Sequence, residues 1–169
     1  MASLVVRNFM RQQGFADEPD AACNMHFSAL YFQPYIIGAL VVVAILAGSP
    51  RLFLFLSAVL WWNALFPQWN PFEAYYNRFI AAPRGTPKLT PAPAPRRFAQ
   101  GMAATFMLLA GACLLAGWTA GAWIFQGFIV IAFAALLVGK FCLGAYVYHL
   151  LRGQVAFANA TLPWSRSQP

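Results

Sequence analysis

Residues 61–79, WWNALFPQWNPFEAYYNRF, decide the fold of this chain. Eight of the nineteen side chains are aromatic, three are Asn and two are Pro. A proline inside a helical pattern ends the helix, so a helix that enters this stretch must end at about Pro67. Asn70 has the residue type of a helix cap. Pro71 suits the first helical position, and Glu73 suits the third. The stretch therefore predicts the end of one helix and the start of another.

The second helix is predicted to be amphipathic, about eleven residues long, and to lie in the membrane interface. Its apolar residues recur at the i, i+3, i+4, i+7 and i+8 spacing of one helical stripe: Phe72, Tyr75, Tyr76, Phe79 and Ile80. The residues predicted on the opposite, polar side are Glu73, Asn77 and Arg78. Indole rings suit the headgroup level, where we expect Trp61, Trp62 and Trp69. The same aromatic cluster could instead line a ligand pocket.

The composition places the chain in a bilayer. Of 169 residues, 61% are hydrophobic and 9% are charged, which leaves too little polar surface for a soluble core. A spanning helix needs roughly 20 residues, and the apolar runs are about 29–48, 51–66, 98–118 and 122–150. The second run is short, and Arg51 is expected to snorkel at one end of it. The predicted fold class is an all-α integral membrane protein with four transmembrane helices in two hairpins.

The remaining segments complete the predicted organisation. Residues 1–25 are a cytoplasmic segment without the pattern of a signal peptide, in which Leu4, Val5, Phe9 and Met10 form either the apolar side of an interfacial helix or part of a mobile tail. The predicted units are then a hairpin (26–66), the interfacial helix with a Pro-rich loop (67–97), a second hairpin (98–152) and a cytoplasmic tail (153–169). The loop contains PRGTPKLTPAPAPRR (83–97), with five prolines and four basic residues. It is either an extended strap across the bundle or a solvated linker.

Basic residues predict the orientation, since loops rich in Lys and Arg stay in the cytoplasm. Arg51 is the basic residue of the two tight turns at 48–51 and 117–123. The termini and the 67–97 loop carry the others: Arg7, Arg11, Arg78, Arg84, Lys88, Arg96, Arg97, Arg152 and Arg166. Both termini are therefore predicted on the cytoplasmic side of a bacterial inner membrane, where anionic lipids are expected partners. The charge is explained by topology, so no nucleic-acid partner is expected.

Two stretches resemble the signatures of a known family. PRRFAQGMAATF opens the third apolar run, and FCLGAYVYHLL closes the fourth. They resemble an uncharacterised bacterial membrane family, the domain-of-unknown-function family numbered four-three-nine-five, over roughly residues 20–152. Family members usually carry Cys-Leu-Gly-Cys in the last helix. Here Cys142, Leu143 and Gly144 match, and Ala145 replaces the second Cys.

Candidate chemistry rests on few residues. The three cysteines are expected to be free thiols, and Cys142 is a redox candidate that lacks a neighbouring resolving thiol. His149 could bind a haem iron or a pigment magnesium, or could be an ordinary hydrogen-bonded histidine. No catalytic set and no metal cluster is evident in the sequence.

Two basic residues are candidates for contact with lipid or with a partner. Lys140 lies within the predicted fourth span, where an ionisable group is costly. It either snorkels to the interface or meets an acceptor on another subunit, a cofactor or a lipid. Arg97, at the start of the third run, is a candidate phosphate contact.

These features favour a non-enzymatic accessory subunit packed into a larger inner-membrane complex, photosynthetic or respiratory, beside other membrane subunits. Pairs of small residues allow close helix packing in lipid, and four thin helices leave many large aromatic side chains for contact with lipid, pigment or partner helices. The alternative is a free-standing membrane protein of thiol-redox or small-molecule handling type.

Overall fold

The computed structural model describes residues 3–15, 20–86 and 88–165, and all regular secondary structure within these ranges is helical. The helices in chain order are α1 (Leu4–Gln12), α2 (Asp20–Leu46), α3 (Pro50–Leu65), α4 (Pro71–Tyr76), α5 (Ala82–Arg84), α6 (Ala94–Leu115), α7 (Thr119–Leu137), α8 (Leu143–Leu151) and α9 (Val155–Ala160).

The helix ends around residues 61–79 follow the predicted local chemistry. α3 ends at Leu65, and a short 3₁₀ turn covers Pro67–Trp69. Asn70 caps α4, since its side-chain oxygen accepts a hydrogen bond from the backbone N–H of Phe72 at 3.0 Å. Beyond α4 the chain widens into one π-helical turn, Asn77–Ala81. The predicted stop and restart are confirmed, but the second helix is not one regular α-helix.

Three helices are long and apolar enough to cross a membrane: α2, through its segment Ala29–Leu46, together with α6 and α7. The second predicted span, 51–66, corresponds to α3, which has 16 residues. A helix of this length rises about 24 Å, less than the roughly 30 Å hydrocarbon core of a bilayer. The structure therefore supports a membrane protein with three candidate spans and one shorter apolar helix.

α3 and α6 form the antiparallel centre of the fold. The Ser57 hydroxyl donates to the backbone oxygen of Ala104 at 2.8 Å. Leu54 lies beside Gly111, where an added Cβ would come within 3.1 Å of its side chain. Residue numbers therefore increase along α6 in the direction in which they decrease along α3, so the two helices are antiparallel. The helices approach closely because the residues between them are small.

The predicted continuous helix over 122–150 is wrong, because the chain breaks between α7 and α8. Lys140 has a φ of +51°, a left-handed conformation that interrupts a right-handed helix. Gly139 precedes it, and a Cβ there would lie 2.7 Å from the backbone oxygen of Ala135. The break therefore depends on a glycine and on one residue in a costly backbone conformation.

Side chains from distant parts of the chain satisfy the backbone groups at this break. The Tyr31 hydroxyl donates to the backbone oxygen of Leu136 at 2.8 Å. The Gln12 side-chain oxygen accepts from the backbone N–H of Cys142 at 2.9 Å. Buried backbone groups without partners are costly, so α1 and α2 stabilise the broken form.

The N-terminal segment is part of the fold, so the mobile-tail alternative is wrong for α1. Phe9 and Met10 are 3% and 0% exposed and pack in a core cluster of the protein. The Asn8 amide nitrogen donates to the backbone oxygens of Leu162 and Ser165 at 2.9 and 3.2 Å. The two ends of the described chain thus meet at one end of the molecule.

The Pro-rich loop lies against this same end. The Asn77 side chain accepts from the backbone N–H of Leu89 at 2.7 Å and donates to its backbone oxygen at 3.1 Å. Pro93 lies beside Gly14, whose φ is +96° and where a Cβ would approach to 2.8 Å. Leu89 and Ala92 are buried. This part of the loop, which we call the strap, is therefore packed on the protein, and its place across the cytoplasmic face stays a prediction.

Candidate functional site

The predicted tryptophan cluster forms a partly exposed surface at the end of α3. Trp61, Trp62 and Trp69 are 38%, 44% and 67% exposed. The Trp62 indole N–H donates to the backbone oxygen of Trp69 at 3.2 Å, and the Trp61 ring lies beside Gly101 on α6. Their position at the headgroup level of a membrane stays a prediction.

The aromatic stripe of α4 divides between protein and surface. Tyr76 is half-buried and its ring centroid lies 6.0 Å from that of Phe32 on α2, while Phe72 packs against the core between α3 and α6. Tyr75 stacks on Phe32 at 5.9 Å, although Tyr75 and Phe79 remain exposed. The α4 stripe therefore contacts the protein along one edge and leaves the other edge free.

Glu73 is buried, which corrects its predicted place on the outer polar side of this helix. Its side chain is 6% exposed. The sequence pattern assigned the polar side to solvent, but a six-residue helix that packs on α2 turns part of that side toward the interior.

Arg97 and Lys140, the two basic residues predicted to contact lipid or a partner, have different surroundings. The Arg97 Nε donates to the backbone oxygen of Ala64 at 2.7 Å, so Arg97 binds the last turn of α3. Lys140 is exposed in the break between α7 and α8, and its Nζ lies 5.7 Å from the centroid of the Phe27 ring. Lys140 is thus not a buried cation inside a helix. Contact of either residue with lipid or with a partner stays a prediction.

His149, the predicted ligand of a haem or pigment, is engaged within the protein. Its Nε2 lies 3.1 Å from the backbone oxygen of Gln12, and its Nδ1 lies 2.7 Å from the side-chain oxygen of Gln154. A backbone oxygen can only accept, so the contact with Gln12 is a hydrogen bond in the tautomer that has its proton on Nε2. A metal would have to displace one of these partners. Within the described ranges, no group of three or more His, Cys, Asp or Glu side chains could hold a metal ion.

Cys142, the redox candidate, is a buried free thiol between α7 and α8. Burial raises the pKa of this thiol, because the charged thiolate loses hydration. The thiolate is the reactive form, so the surroundings of Cys142 oppose redox reactivity. Cys113, the other cysteine whose side chain is described, is also buried and free.

A group of buried polar side chains lies at the end of the bundle where α1, α4 and α8 meet α2 and α6. We call it the polar layer, and its members are Gln33, Asn70, Glu73, Arg96 and Gln100. Each is at most 9% exposed. The Gln33 side-chain oxygen accepts from the amide nitrogens of Asn70 and Gln100 at 3.4 and 3.2 Å. The polar layer thus connects α2, α4 and α6.

The hydrogen bonding of the polar layer is incomplete. The Arg96 Nη1, the Gln100 Oε1 and the Glu73 Oε1 are buried without a hydrogen-bond partner. Burial raises the pKa of Glu73, although the Arg96 charge and a hydrogen bond from Asn70 oppose the shift. Glu73 and Arg96 thus oppose each other's desolvation only in part, since each keeps a buried side-chain atom without a hydrogen-bond partner. A buried charge without full compensation is costly, so this arrangement needs a further explanation.

The polar layer borders a partly open cavity of about 100 Å³. Arg96, Gln100, Gln33, Gln13 and Cys142 form its polar wall. Its apolar wall includes Ile37, Leu60, Phe106, Ile129 and Phe133, so α2, α3, α6 and α7 all contribute. The arrangement combines one cationic group with a largely apolar chamber.

The two sequence stretches that carry the family resemblance meet beside this cavity. A Cβ on Gly144 would lie 2.6 Å from both Cα and Cβ of Ala99. RFAQ in α6 and FCLG at the start of α8 are therefore in direct contact, and Gln100 and Cys142 from these stretches both line the cavity. Gly144 allows this close approach because it has no side chain.

Sequence analysis missed the polar layer as a site. Arg96 and Gln100 are four residues apart and so share one face of α6. Gln33 is a lone amide in an apolar run, and Glu73 is the one acidic residue between residues 21 and 169. These signals were available, but only the packing of three helices brings the four side chains together.

The fold and the site define a class of small, all-helical membrane protein with a polar layer at one end and a cavity inside. Residues 28–153 match the model of a family described as Domain of unknown function (DUF4395), and the chain belongs to this family. α1 and α9 lie outside the matched range, although Phe9 of α1 and Gln13, directly after it, line the cavity. No curated protein and no solved structure matches the chain.

Proposed function

We propose that the protein is a non-enzymatic accessory subunit, packed laterally in a larger energy-transducing complex of the bacterial inner membrane. In this proposal α2, α3, α6 and α7 all cross the bilayer as two hairpins, and both termini are cytoplasmic. α4 lies in the cytoplasmic interface, where it and the strap contact neighbouring subunits or anionic lipids. Pigment or haem, if the complex holds one, would lie against the exposed aromatic side chains.

The exposed face of α7 carries this proposal. Only 22% of the α7 segment is buried within the protein, the smallest share of the three candidate spans. Trp123, Ile124 and Ile131 are 69%, 54% and 60% exposed. Gly127 lies between them on the same side of the helix, and an added Cβ there would meet nothing within 4 Å.

This face has the shape of a helix-packing groove. Gly127 is separated from the large side chains by three to four residues in each direction, so they stand one turn above and one turn below it. The small residue leaves a notch between two ridges, into which a ridge of another apolar transmembrane helix would fit. Lipid chains would also cover the face, so the experiment must distinguish a packed helix from fluid lipid.

Substitutions of increasing size at Gly127 make this distinction. We expect Gly127→Leu to keep the normal level of the protein in membranes, and to lose its co-purifying membrane subunits after mild-detergent extraction. Gly127→Ala should retain most of them. Mass spectrometry of the extracted particle, with its absorption spectrum, measures the composition. If the wild-type chain migrates alone and colourless, or if both variants keep the same partners as wild type, the proposal fails.

A further inference from the structure

The cavity beside the polar layer has the properties of a binding site that the accessory-subunit proposal does not require. Arg96 is 7% exposed, its Nη1 has no hydrogen-bond partner, and its side chain lines the cavity. Guanidinium groups are charged at all physiological pH values. A buried cation is stabilised by a neighbouring anion, and the cavity is the space beside Arg96 that such an anion would enter.

Glu73, the acidic side chain that acts electrostatically on Arg96, does not supply this anion. Glu73 interacts with Arg96 electrostatically, yet one Glu73 oxygen is itself buried without a partner. Glu73, the one acidic residue whose side chain the structure describes, forms no ion pair within 4.0 Å of the Arg96 guanidinium. A guanidinium group binds carboxylate and phosphate oxygens by paired hydrogen bonds, so an oxyanion fits the free Nη1.

The apolar wall of the cavity determines which chemical group can be attached to the oxyanion in the ligand. Phe106, Ile129 and Phe133 present apolar side chains toward the space. The cavity volume of about 100 Å³ holds a few carbon atoms rather than a large ring system. An apolar cavity of about 150 Å³ is enough for a benzene molecule. The cavity is partly open, so the first few carbons of a slender alkyl chain fit inside it and the rest of the chain extends out between the helices.

We propose that this cavity binds an amphiphile that has one oxyanion head group, held by Arg96, and an apolar chain placed between α2, α6 and α7. The head is a carboxylate or a phosphate. Its source is either a free fatty acid or a membrane phospholipid, which share this chemistry. Gln33 and Gln100 form the polar wall around the head group.

Thermal unfolding of the purified full-length protein in a neutral detergent tests the proposal. At a decanoate concentration tenfold above half-saturation, we expect the midpoint of wild type to rise by about 3–6 °C. Decanol has the same chain without the charge and should raise it by much less. Arg96→Gln should abolish the difference between decanoate and decanol. Arg97→Gln, one residue along the same helix, should retain it, because the Arg97 side chain binds the backbone oxygen of Ala64 and does not line this cavity.

A second variant leaves the charge in place. Ala103 lines the cavity, and Ala103→Leu should fill part of the chamber and weaken the decanoate effect at least several-fold. This variant keeps the test decisive if Arg96→Gln fails to fold. Equal effects of decanoate and decanol on wild type would overturn the proposal. So would a loss in Arg97→Gln as large as the loss in Arg96→Gln, or a full decanoate effect in Ala103→Leu.

Native mass spectrometry of wild type from membranes distinguishes the two sources. A bound mass of one single-chain acid indicates a fatty acid, and that of a two-chain lipid indicates a phospholipid. Either mass should be retained in Arg97→Gln and lost in Ala103→Leu. A wild-type particle that carries neither mass and gains no decanoate-specific stability would show that the polar layer holds water only.

Discussion

At the scale of single residues, a few positions without side chains control how closely the helices approach. Gly144 and Gly127 are both helical glycines with ordinary backbone angles, but their surroundings are opposite. The Cα of Ala99 would lie 2.6 Å from a Cβ on Gly144, whereas space is open at Gly127. Backbone cannot move aside as a flexible side chain can, so substitution at Gly144 must push α8 away from α6.

We therefore expect Gly144→Ala to destabilise the protein by about 1–3 kcal/mol, the usual cost of overpacking a core. Gly127→Ala is the matched control, and should be neutral or stabilising by up to about 1 kcal/mol because Ala favours the helix. Thermal unfolding in detergent measures both. Equal midpoints for the two variants would contradict the close contact between α6 and α8.

At the scale of elements, hydrogen bonds between distant segments decide which helices continue and which end. The break after α7 is stabilised by Tyr31 and by Gln12, which lies 130 residues from Cys142 in the sequence. The strap is held in the same manner, since the Asn77 side chain forms both hydrogen bonds to the backbone of Leu89. The sequence pattern placed Asn77 on a solvated polar side, where substitution would cost little.

The structure instead predicts a substantial cost for substitution at Asn77. Asn77→Ala removes both hydrogen bonds to Leu89 and should cost about 1–3 kcal/mol in docking of the strap. Opening of the strap exposes the Lys88–Leu89 bond, and trypsin should cut it about tenfold faster for each 1.4 kcal/mol lost.

Thr90→Ala, at an exposed position in the same loop, is the control and should be cut at the wild-type rate. Fragment masses identify the bond that is cleaved. An Asn77→Ala protein as resistant as wild type would mean that the strap does not depend on these hydrogen bonds.

At the scale of the whole molecule, contacts between chain ends limit the possible topologies. Asn8 binds the backbone of Leu162 and Ser165, so the two ends of the described chain share one end of the molecule. An even number of crossings satisfies this contact. The candidate spans are α2, α6 and α7, and the proposed four-span arrangement takes the shorter apolar helix α3 as the fourth crossing.

The four-span arrangement predicts the behaviour of a reporter that is active only in the periplasm. It should be inactive when fused at the N-terminus, at Thr90 or after Arg152, and active when inserted near Gly121. A reporter activity at Thr90 equal to that near Gly121 would show that α3 does not cross and would exclude the four-span arrangement.

The sequence by itself determined the features that depend on local composition and spacing. Apolar runs placed the chain in a membrane, since no packing can hide that much apolar surface in a protein of this size. Pro67, Asn70 and Pro71 marked the end of α3 and the start of α4, because proline geometry and capping act over a few residues. The family resemblance rested on RFAQ and FCLG, which are also local.

Only the tertiary structure decided the burial of Glu73, the break at Lys140 and the cavity at Arg96. Each depends on residues far apart in the chain, and hydropathy or helical spacing contains no signal for such contacts. The run 122–150 was read as continuous because its composition is uniformly apolar, whereas the partners that stabilise the break lie in α1 and α2. The polar layer forms for the same reason, because α2, α4 and α6 each contribute only one or two polar side chains and become a site when packed together.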